Sequence, residues 1–289
     1  MALESTLIAH GLPYPYNLEV AREAEAAVRR QDAIPATVAI LGGRVKVGLK
    51  EKELEFLATG PSAGKAVVKS SLRDLSIVVG RGLAGATTAG ATVFIAARLG
   101  IKVMATGGIG GVHRGFGETL DISADLEALS RYPVTVVSSG VKSILDVGAT
   151  LEQLETRGVS VVGWRTSRFP GFFVRETGFP VDWRAENLTQ VVNIIRAREA
   201  LKLPGATLVV NPVPEKHAMD SAQLDKALAA ALAEAATEGI RGKELTPFLL
   251  DRVRDLTDNK SLDANLALIR NNAVLAGRLA AALASGDSG

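Results

Sequence analysis

Lys142 stands where a predicted strand passes into a predicted helix. The apolar residues 134–137 lead into Ser-Ser-Gly, and Lys142 follows at the start of the predicted helix 141–158. Backbone N–H groups at such a helix start can bind a phosphate. Partial desolvation beside the positive helix end is expected to lower the pKa of Lys142, and a neutral amine can attack a sugar carbonyl to form an imine. The alternative, which the pattern alone favours, is a lysine that reaches solvent from the first helical turn.

A second lysine, Lys69, ends the short apolar run 66–69, which predicts another strand. If Lys69 and Lys142 lie side by side, the charge of each lowers the pKa of the other, and this is one way in which a lysine is activated. The sequence permits this convergence but does not establish it.

Two carboxylates lie four positions apart, at Asp121 and Asp125, with Ser123 between them. At the start of a helix they would share a face and could hold a cation. The plainer interpretation is that Asp121 or Ser123 caps the helix.

The segment 102–115, KVMATGGIGGVHRG, places glycines after a predicted strand, where backbone N–H groups can approach an anion. His113 stands where a dinucleotide fingerprint has its third glycine, and the Gly-Lys-Ser/Thr ending of a P-loop is missing. A tight structural turn is at least as good an interpretation, and a nucleotide-binding fold is disfavoured.

Glu4 and Asn265 carry no catalytic signal by pattern alone. Glu4 is the fourth residue, where chain termini are usually exposed, and Asn265 lies in a helical tail. Both side chains are therefore expected to be solvated.

The composition excludes several classes of function. The 289 residues include 33 basic and 31 acidic side chains, for a net charge of +2, which predicts no nucleic-acid surface. The absence of cysteine excludes disulfides and thiolate zinc sites, and the three histidines lie far apart. A metal would therefore rely on carboxylates and water, which favours Mg²⁺ or Mn²⁺. No secretion signal and no apolar run of about 20 residues is found, so we expect a cytoplasmic protein that does not contact membranes.

Apolar strands alternate with helical patterns along the chain, which predicts an α/β fold with a mixed, largely parallel sheet and one hairpin. The predicted strands are 36–41, 44–49, 66–69, 75–85, 102–106, 134–139, 159–164 and 206–213, and the predicted helices are 18–30, 52–59, 87–100, 125–132, 141–158, 186–202, 221–239 and 246–283. No linker divides the chain, so residues 1–289 are expected to form one domain, with a frayed tail at 284–289.

The segment 164–183 holds both tryptophans and four of the eight phenylalanines. A loop this aromatic must bury its rings. It is expected to form either a lid over a pocket or part of a subunit interface.

Long motifs over nearly the whole chain resemble one known family. They are ALESTLIAHGLPYP, ATVAILGGRVKVGL, KSSLRDL, GATTAGATVFIAARLGIKVMATGGIGGVHRG, DISADLEAL, VSSGVKSILDVGATLEQLETRGV, FPGFF, NPVPEKHAMD and LTDNKSLDANLALIRNNA. The sequence is similar to the indigoidine synthase A-like family, also called the pseudouridine-5′-phosphate glycosidases. The resemblance implies reversible cleavage of pseudouridine 5′-phosphate to uracil and ribose 5-phosphate.

The resemblance also implies the roles of individual residues. Lys142 would be the nucleophile that forms a covalent sugar adduct, and Glu4 the proton donor. Lys69, Ala89 and the stretch Ser123, Ala124 and Asp125 would bind substrate, Asn265 would bind the uracil edge, and Asp121 would ligate one Mn²⁺ per subunit.

The family further implies a three-layer α/β/α sandwich that assembles as a homotrimer in the cytoplasm, with small molecules as its substrates. Two other functions stay open at this stage. One is a Schiff-base lyase or aldolase that uses Lys142 on a different sugar phosphate. The other is a protein that binds a phosphorylated nucleoside without turnover.

Overall fold

The computed structural model describes residues 1–60, 63–64, 66–240 and 242–285. Its strands are β1 (Ala2–Leu3), β2 (Ala36–Leu41), β3 (Arg44–Val47), β4 (Val67–Ser70), β5 (Ala84–Thr87), β6 (Val103–Ala105), β7 (Val112–His113), β8 (Thr135–Ser138), β9 (Leu145–Asp146), β10 (Ser160–Trp164), β11 (Trp183–Ala185) and β12 (Thr207–Val210). Its α-helices are α1 (Tyr16–Arg29), α2 (Glu51–Thr59), α3 (Leu75–Gly80), α4 (Ala89–Arg98), α5 (Phe116–Thr119), α6 (Ala124–Arg131), α7 (Val147–Thr156), α8 (Leu188–Ala200), α9 (Ser221–Glu238), α10 (Leu245–Leu256) and α11 (Lys260–Ala284). Shorter helical turns lie at Leu7–Gly11, Leu72–Asp74, Glu215–His217 and Gly242–Glu244.

One large sheet organises the chain, with the strand order β11-β10-β12-β8-β6-β1-β2-β5-β4, and β3 pairs with β2. Most neighbours are parallel, whereas β2 runs antiparallel to both β3 and β5. The predicted mixed, largely parallel sheet and its β2–β3 hairpin are therefore confirmed. Strand β1 was not predicted, yet it lies in the middle of the sheet, between β6 and β2.

Helices pack against the sheet in two groups. Helix α11 packs on α1, α8 and the strands β6 and β8, while α4 packs on α6 and on β1, β5 and β6. The strands between them are almost fully buried, as expected of a parallel sheet that is covered by helices. The predicted α/β class with a sheet flanked by helices is thus confirmed.

Helix α11 is long and apolar enough, by length and composition alone, to cross a membrane. Half of its most apolar window is buried inside the fold, which is what a core helix shows. Its exposed side carries Arg270, which makes an ion pair with Glu23 of α1. The apolar character of α11 is accounted for by packing.

The strand predicted at 75–85 is wrong in its first half, because residues 75–80 form α3 and the strand begins only at Ala84. A short apolar run has no periodicity that separates a buried strand from a buried helix. A local signal for the helix lies just before α3. The Asp74 carboxylate accepts hydrogen bonds from the backbone N–H and the hydroxyl of Ser71, which closes a helical turn.

The helix predicted at 141–158 is also wrong in its first part, because α7 begins only at Val147. The Asp146 side chain accepts from the backbone N–H of Ala149 and so caps α7. Before the cap, Val141 bridges to Ile109, and β9 pairs with β7. Lys142 therefore lies at the start of a turn between β8 and β9, in which the Leu145 N–H donates to the Lys142 carbonyl, and not at a helix start. The predicted effect of a helix end on its amine does not apply.

Two further predictions concern the frayed tail at 284–289 and the single domain over 1–289. Ala284 is the last residue of α11, and residues 286–289, which make up most of the predicted frayed tail, lie outside the described residues. A single domain over 1–289 stays a prediction.

Candidate functional site

The candidate site lies where several strands of the sheet end. Strand β1 pairs in parallel with β6, with Leu3 opposite Ala105, so the next residues, Glu4 and Thr106, leave the sheet side by side. Lys142 follows the neighbouring strand β8, and Lys69 lies in β4. Ligand sites in open α/β sheets commonly lie beyond the carboxyl ends of the strands.

Glu4 is buried, with 4% of its surface exposed, and its carboxylate accepts a hydrogen bond from the Thr106 hydroxyl. Burial raises the pKa of Glu4, while the positive charges of Lys142 and Lys69 and the Thr106 hydrogen bond act in the opposite direction. A carboxyl with a raised pKa can hold a proton near neutral pH and donate it. The expectation from the pattern alone, that Glu4 is solvated, is wrong.

Glu4, Lys69 and Lys142 line one cavity, here called the lysine cavity, together with Thr106, Phe172 and Asn265. The two lysines therefore share a space, as the sequence permitted. Apolar side chains of Leu7, Leu12, Leu250 and Ile269 complete much of its wall. A largely apolar wall strengthens the interactions of the few charged groups within it.

A second space, here called the aspartate pocket, adjoins the lysine cavity and shares Glu4, Lys69 and Lys142 with it. Its other polar lining comprises Ser71, Arg73, Thr88, His113, Asp121, Ser123 and Asp125, with Ala124 beside them. The predicted stretch 123–125 thus lines the same pocket as both lysines.

Asp125 is buried and its carboxylate connects two parts of the chain. One oxygen accepts from the backbone N–H of Gly90 at 2.7 Å, and the other accepts from that of Gly110 at 2.8 Å. The Ser123 hydroxyl accepts from the backbone N–H of Asp125 and caps α6, as the plainer interpretation of this segment predicted. Asp125 therefore joins the start of α4 to the glycine-rich turn.

Asp121 precedes α6, so it does not share a helix face with Asp125. Its Oδ2 lies 3.9 Å from Nδ1 of His113, whose pKa is lowered mainly by burial. Within the described parts of the chain, no group of three His, Asp or Glu side chains could hold a metal. Asp121 and a neutral His113 would give a cation two protein ligands at most, which fits a divalent ion that keeps most of its water, such as Mg²⁺ or Mn²⁺.

The backbone before Lys142 has one conformation that requires glycine. Gly140 has φ of +86°, and a Cβ there would lie 2.2 Å from the carbonyl oxygen of Pro170. The Phe172 N–H donates to the carbonyl of Ser139 at 3.0 Å. This hydrogen bond joins the aromatic segment to the residues that lead into Lys142.

The aromatic segment has a buried part and an exposed part. Phe169, Phe172 and Phe173 are almost fully buried within the chain, and Phe172 forms a wall of the lysine cavity. Trp183 and Phe179 are exposed. Phe172 therefore belongs to the site, whereas a subunit interface at the outer rings stays a prediction.

Asn265 is 8% exposed and faces the lysine cavity from α11, so the expected solvated amide is wrong. Ala89 is the buried first residue of α4, directly after Thr88, which lines the aspartate pocket. All of the residues named as candidates from the sequence therefore lie in or beside these two connected spaces.

Other residues in or around the site were not predicted from the sequence. Thr106 ends the predicted strand 102–106, so its position at a strand end was a signal that could have identified it. His10 and Asn272 lie in helical segments without such a signal. Asn272 is fully buried and donates to the carbonyl of Thr106, and its Oδ1 accepts from Asn211.

Comparisons with known proteins give matches over nearly the whole chain. The family model described as "Indigoidine synthase A like protein" matches residues 1–282. A pseudouridine-5′-phosphate glycosidase from Symbiobacterium thermophilum is 52% identical, covering 99% of this chain and 93% of its own. One from Streptomyces griseus is 53% identical over 98% of this chain and 87% of its own.

Two solved structures share the fold. An indigoidine synthase A-like protein from Thermotoga maritima has a TM-score of 0.90 at 39% identity, covering 98% of this chain and 92% of its own. The prealnumycin C-glycosynthase AlnA, solved in complex with ribulose 5-phosphate, has a TM-score of 0.89 at 40% identity, covering 98% and 91%.

Proposed function

Because the chain belongs to the indigoidine synthase A-like family, we propose that it cleaves the carbon–carbon glycosidic bond of pseudouridine 5′-phosphate. The products are uracil and ribose 5-phosphate, and the reaction is reversible. The observation that supports this most is that Glu4, Lys69, Lys142 and Asn265 line one cavity. The name of the curated relatives and the sugar phosphate bound to AlnA give further support.

The bond to be broken explains why a lysine is needed. In an N-glycoside the leaving nitrogen can take up negative charge, and a pair of carboxylates can manage a glycosidic displacement. In the C-nucleotide, carbon is joined to carbon, so the electrons need another sink. A lysine that becomes bonded to C1′ of the sugar supplies one, because its nitrogen can form a double bond to C1′ when the base departs.

In the first step, Nζ of Lys142 attacks C1′ with its lone pair. The N–C1′ bond forms, the bond from C1′ to the ring oxygen breaks, and the proton released by the amine ends on that oxygen. The sugar is then an open chain that carries both the lysine and the base on C1′.

In the second step, the protonated carboxyl of Glu4 donates its proton to C5 of the base. The C1′–C5 bond breaks, the lysine nitrogen forms the protonated imine with C1′, and uracil leaves. The raised pKa of the buried Glu4 supports this role, because the group must hold a proton until the base needs it. Water then adds to the imine carbon, which frees Lys142 and ribose 5-phosphate and returns a proton to Glu4.

The rest of the site would position the substrate. Lys69, next to Ser123, Ala124 and Asp125 in the aspartate pocket, would hold the phosphate or the opened sugar. Ala89, at the start of α4, would contribute a backbone contact. A Mn²⁺ ion held by Asp121 would, when bound, offset the negative charge of the phosphate ester.

Asn265 would bind the edge of the uracil ring. Its amide presents both a donor and an acceptor, which matches the alternating N–H and C=O groups of that edge. Its position in the lysine cavity, on α11, supports this role.

Borohydride trapping tests the proposal. Ribose 5-phosphate should react with the protein, and borohydride should reduce the imine to a stable adduct that mass spectrometry assigns to Lys142. The Lys142→Ala variant should form no adduct and release no uracil from pseudouridine 5′-phosphate. Lys102, an exposed lysine paired with Glu199, is the matched control site and should stay unmodified. Uracil release without any adduct at Lys142 would contradict the mechanism.

A second candidate function is a lysine-dependent lyase or synthase for another sugar phosphate. The C-glycosynthase AlnA, solved with ribulose 5-phosphate, favours it as the alternative. It predicts adducts at Lys142 without uracil release. A protein that binds the nucleotide without turnover would show neither adduct nor uracil.

The homotrimer and the cytoplasmic location are also part of the proposal. The exposed rings of Trp183 and Phe179 support a subunit interface, since large aromatic side chains are enriched at such surfaces. Light scattering should give three chains per particle, and Trp183→Asp should lower that number.

A further inference from the structure

A small cavity, here called the threonine cavity, adjoins the lysine cavity. The two spaces share Glu4, Leu7, Thr106 and Ile269, and the threonine cavity has room for about one water molecule. Its lining extends from the strands β1, β2 and β6 to helix α1. Among the described residues that form this lining, the polar ones are Glu4, Thr37 and Thr106, and the others are Leu3, Leu7, Ile8, Ala21, Ala24, Ala105 and Ile269.

Thr37 lies beside the strand that leads to Glu4. Strand β2 pairs in parallel with β1, with Thr37 opposite Leu3, and Thr37 is almost fully buried. The Thr37 hydroxyl donates to Oε1 of Glu25 at 2.7 Å. A hydroxyl has one proton and two lone pairs, so its oxygen can still accept a hydrogen bond from a water in the threonine cavity. With Glu4 as its second partner, that water has the two polar contacts that a buried water needs.

Glu25 connects Thr37 to the protein surface. It lies on α1, only 5% of it is exposed, and both of its carboxylate oxygens have partners. Oε1 accepts from Thr37, and Oε2 accepts from Nη2 of Arg29 at 2.9 Å. The Arg29 side chain is 60% exposed, so solvent lies next to this end of the carboxylate. Hydrogen-bonded groups therefore lead from the surface of α1 to the threonine cavity.

Glu4 needs contact with solvent protons while the lysine cavity is occupied. In the proposed reaction Glu4 gives up a proton and takes one back in each turnover. Its carboxyl is buried, and a sugar bonded to Lys142 occupies the cavity through which bulk water would otherwise approach. Proton transfer between oxygens requires a hydrogen bond or one bridging water. The threonine cavity offers such a contact from the side of α1.

We infer that Glu4 exchanges its proton with solvent through a water in the threonine cavity, Thr37 and Glu25. This inference rests on the proposed function, because it takes Glu4 to be the general acid. Glu25 takes a proton from solvent and turns it towards Thr37. That proton moves to Oγ1 of Thr37, the Thr37 proton moves to the water, and a proton of the water moves to the Glu4 carboxylate. Each oxygen between Glu25 and Glu4 gains one proton and loses one. Thr37 and Glu25 touch no substrate, so they are positioning residues that act through Glu4.

Deuterium at C5 of uracil reports this exchange. In the reverse reaction the C1′–C5 bond forms and the deuteron of C5 passes to the Glu4 carboxylate. If a solvent proton replaces it before the bond breaks again, the uracil that is released has lost its deuterium. The protein is incubated with 5-deuterated uracil and ribose 5-phosphate in ordinary water. Mass spectrometry then gives the deuterium lost from uracil for each pseudouridine 5′-phosphate formed.

Thr37→Val should lower this ratio at least about tenfold, because the deuteron stays on Glu4 and returns to C5. Thr37→Ser keeps a hydroxyl and should retain most of the wild-type ratio. Glu25→Gln keeps an acceptor for the Thr37 hydroxyl but has no acidic proton to pass on, so it should lower the ratio as Thr37→Val does. Thr207→Val, at a buried strand threonine outside the site, is the matched control and should keep the wild-type ratio.

A crystal structure tests the connection without turnover. The wild-type protein should hold a water within hydrogen-bond distance of Glu4 and Thr37, and Thr37→Val should lack it. Melting temperatures of all variants should be compared, so that a folding defect is not mistaken for lost exchange.

The two possible failures are distinguishable. An unchanged ratio in Thr37→Val or Glu25→Gln, or a threonine cavity without this water, would overturn the inference even if the wild-type protein releases uracil. If the wild-type protein forms no pseudouridine 5′-phosphate and releases no uracil, while the water is present and is lost in Thr37→Val, the proposed reaction is wrong and the hydrogen-bonded connection stands.

Discussion

The carboxylate of Glu4 accepts a hydrogen bond from the hydroxyl of Thr106, although the two residues are 102 positions apart in the chain. They meet because β1 and β6 pair in parallel with Leu3 opposite Ala105. This pairing places the acid of the proposed reaction at the end of the central strand β1, in the cavity that Lys142 also lines.

Removing the Thr106 hydroxyl should change the pH dependence of the reaction. The hydrogen bond stabilises the ionised carboxylate and so lowers the pKa of Glu4, against the larger effect of burial. In Thr106→Val the pKa of Glu4 should rise, and the alkaline limb of the kcat/KM profile should move to higher pH. Thr207→Val, at a buried strand threonine outside the site, should leave the limb in place. A limb that moves to lower pH would contradict this account.

Replacing Glu4 by Gln should abolish activity and stabilise the fold. Loss of a general acid should reduce kcat by about 100-fold or more. The pKa of Glu4 is raised in the folded state. Below the ordinary pKa of a glutamate, Glu4 is protonated in both the folded and the unfolded chain, so it does not affect the free energy of unfolding. Above that pKa the unfolded chain ionises while the folded chain resists, so the wild-type protein loses stability as pH rises towards the raised pKa.

Glu4→Gln removes that loss. The free energy of unfolding of the Glu4→Gln variant in urea should equal that of the wild-type protein at about pH 4 and exceed it at neutral pH. The control variant Glu152→Gln, on an exposed part of α7, should have the wild-type free energy of unfolding at both pH values. A Glu4→Gln protein that is less stable than the wild type at neutral pH would argue against a costly buried carboxylate.

Asp121→Asn should weaken the dependence on a divalent ion. If Asp121 supplies the main protein oxygen to a water-rich cation, the Mn²⁺ concentration for half-maximal activity should rise at least about tenfold. The exposed Asp182 gives a matched control, since Asp182→Asn makes the same change of charge away from the site. An unchanged Mn²⁺ titration of Asp121→Asn would mean that the ligand lies elsewhere.

Asn272→Leu should destabilise the protein by about 3 kcal/mol in urea unfolding, because several buried polar groups lose their partner at once. Asn272 joins the ends of three strands: it donates to the Thr106 carbonyl and to the Ser139 hydroxyl, and it accepts from Asn211. The next residue, Asn271, donates to the Pro212 carbonyl from a half-buried position, so Asn271→Ala should cost about 1 kcal/mol. Equal losses in the two variants would contradict the special role of Asn272.

Elements with a strong local pattern were predictable from the sequence. The helices α1, α8, α9 and α11 bury one side at helical spacing, and the β2–β3 hairpin follows from two apolar runs around Gly42 and Gly43. Where the pattern was short, it failed. The apolar run at 75–80 forms α3, and the residues after Lys142 form a turn and the short strand β9 before the Asp146 cap.

The alternation of strands and helices, the mixed sheet, the family and the candidate residues could be predicted from the sequence, because each rests on local periodicity or on long motifs. The burial of Glu4, by contrast, could not be predicted, because it depends on long-range strand pairing. A strand of two residues has no periodicity, and its place is fixed by partners at Ala36 and Met104, far along the chain. The same long-range pairing brings Lys69, Lys142 and Asn265 to one cavity and raises the pKa of Glu4 by taking its carboxylate out of water.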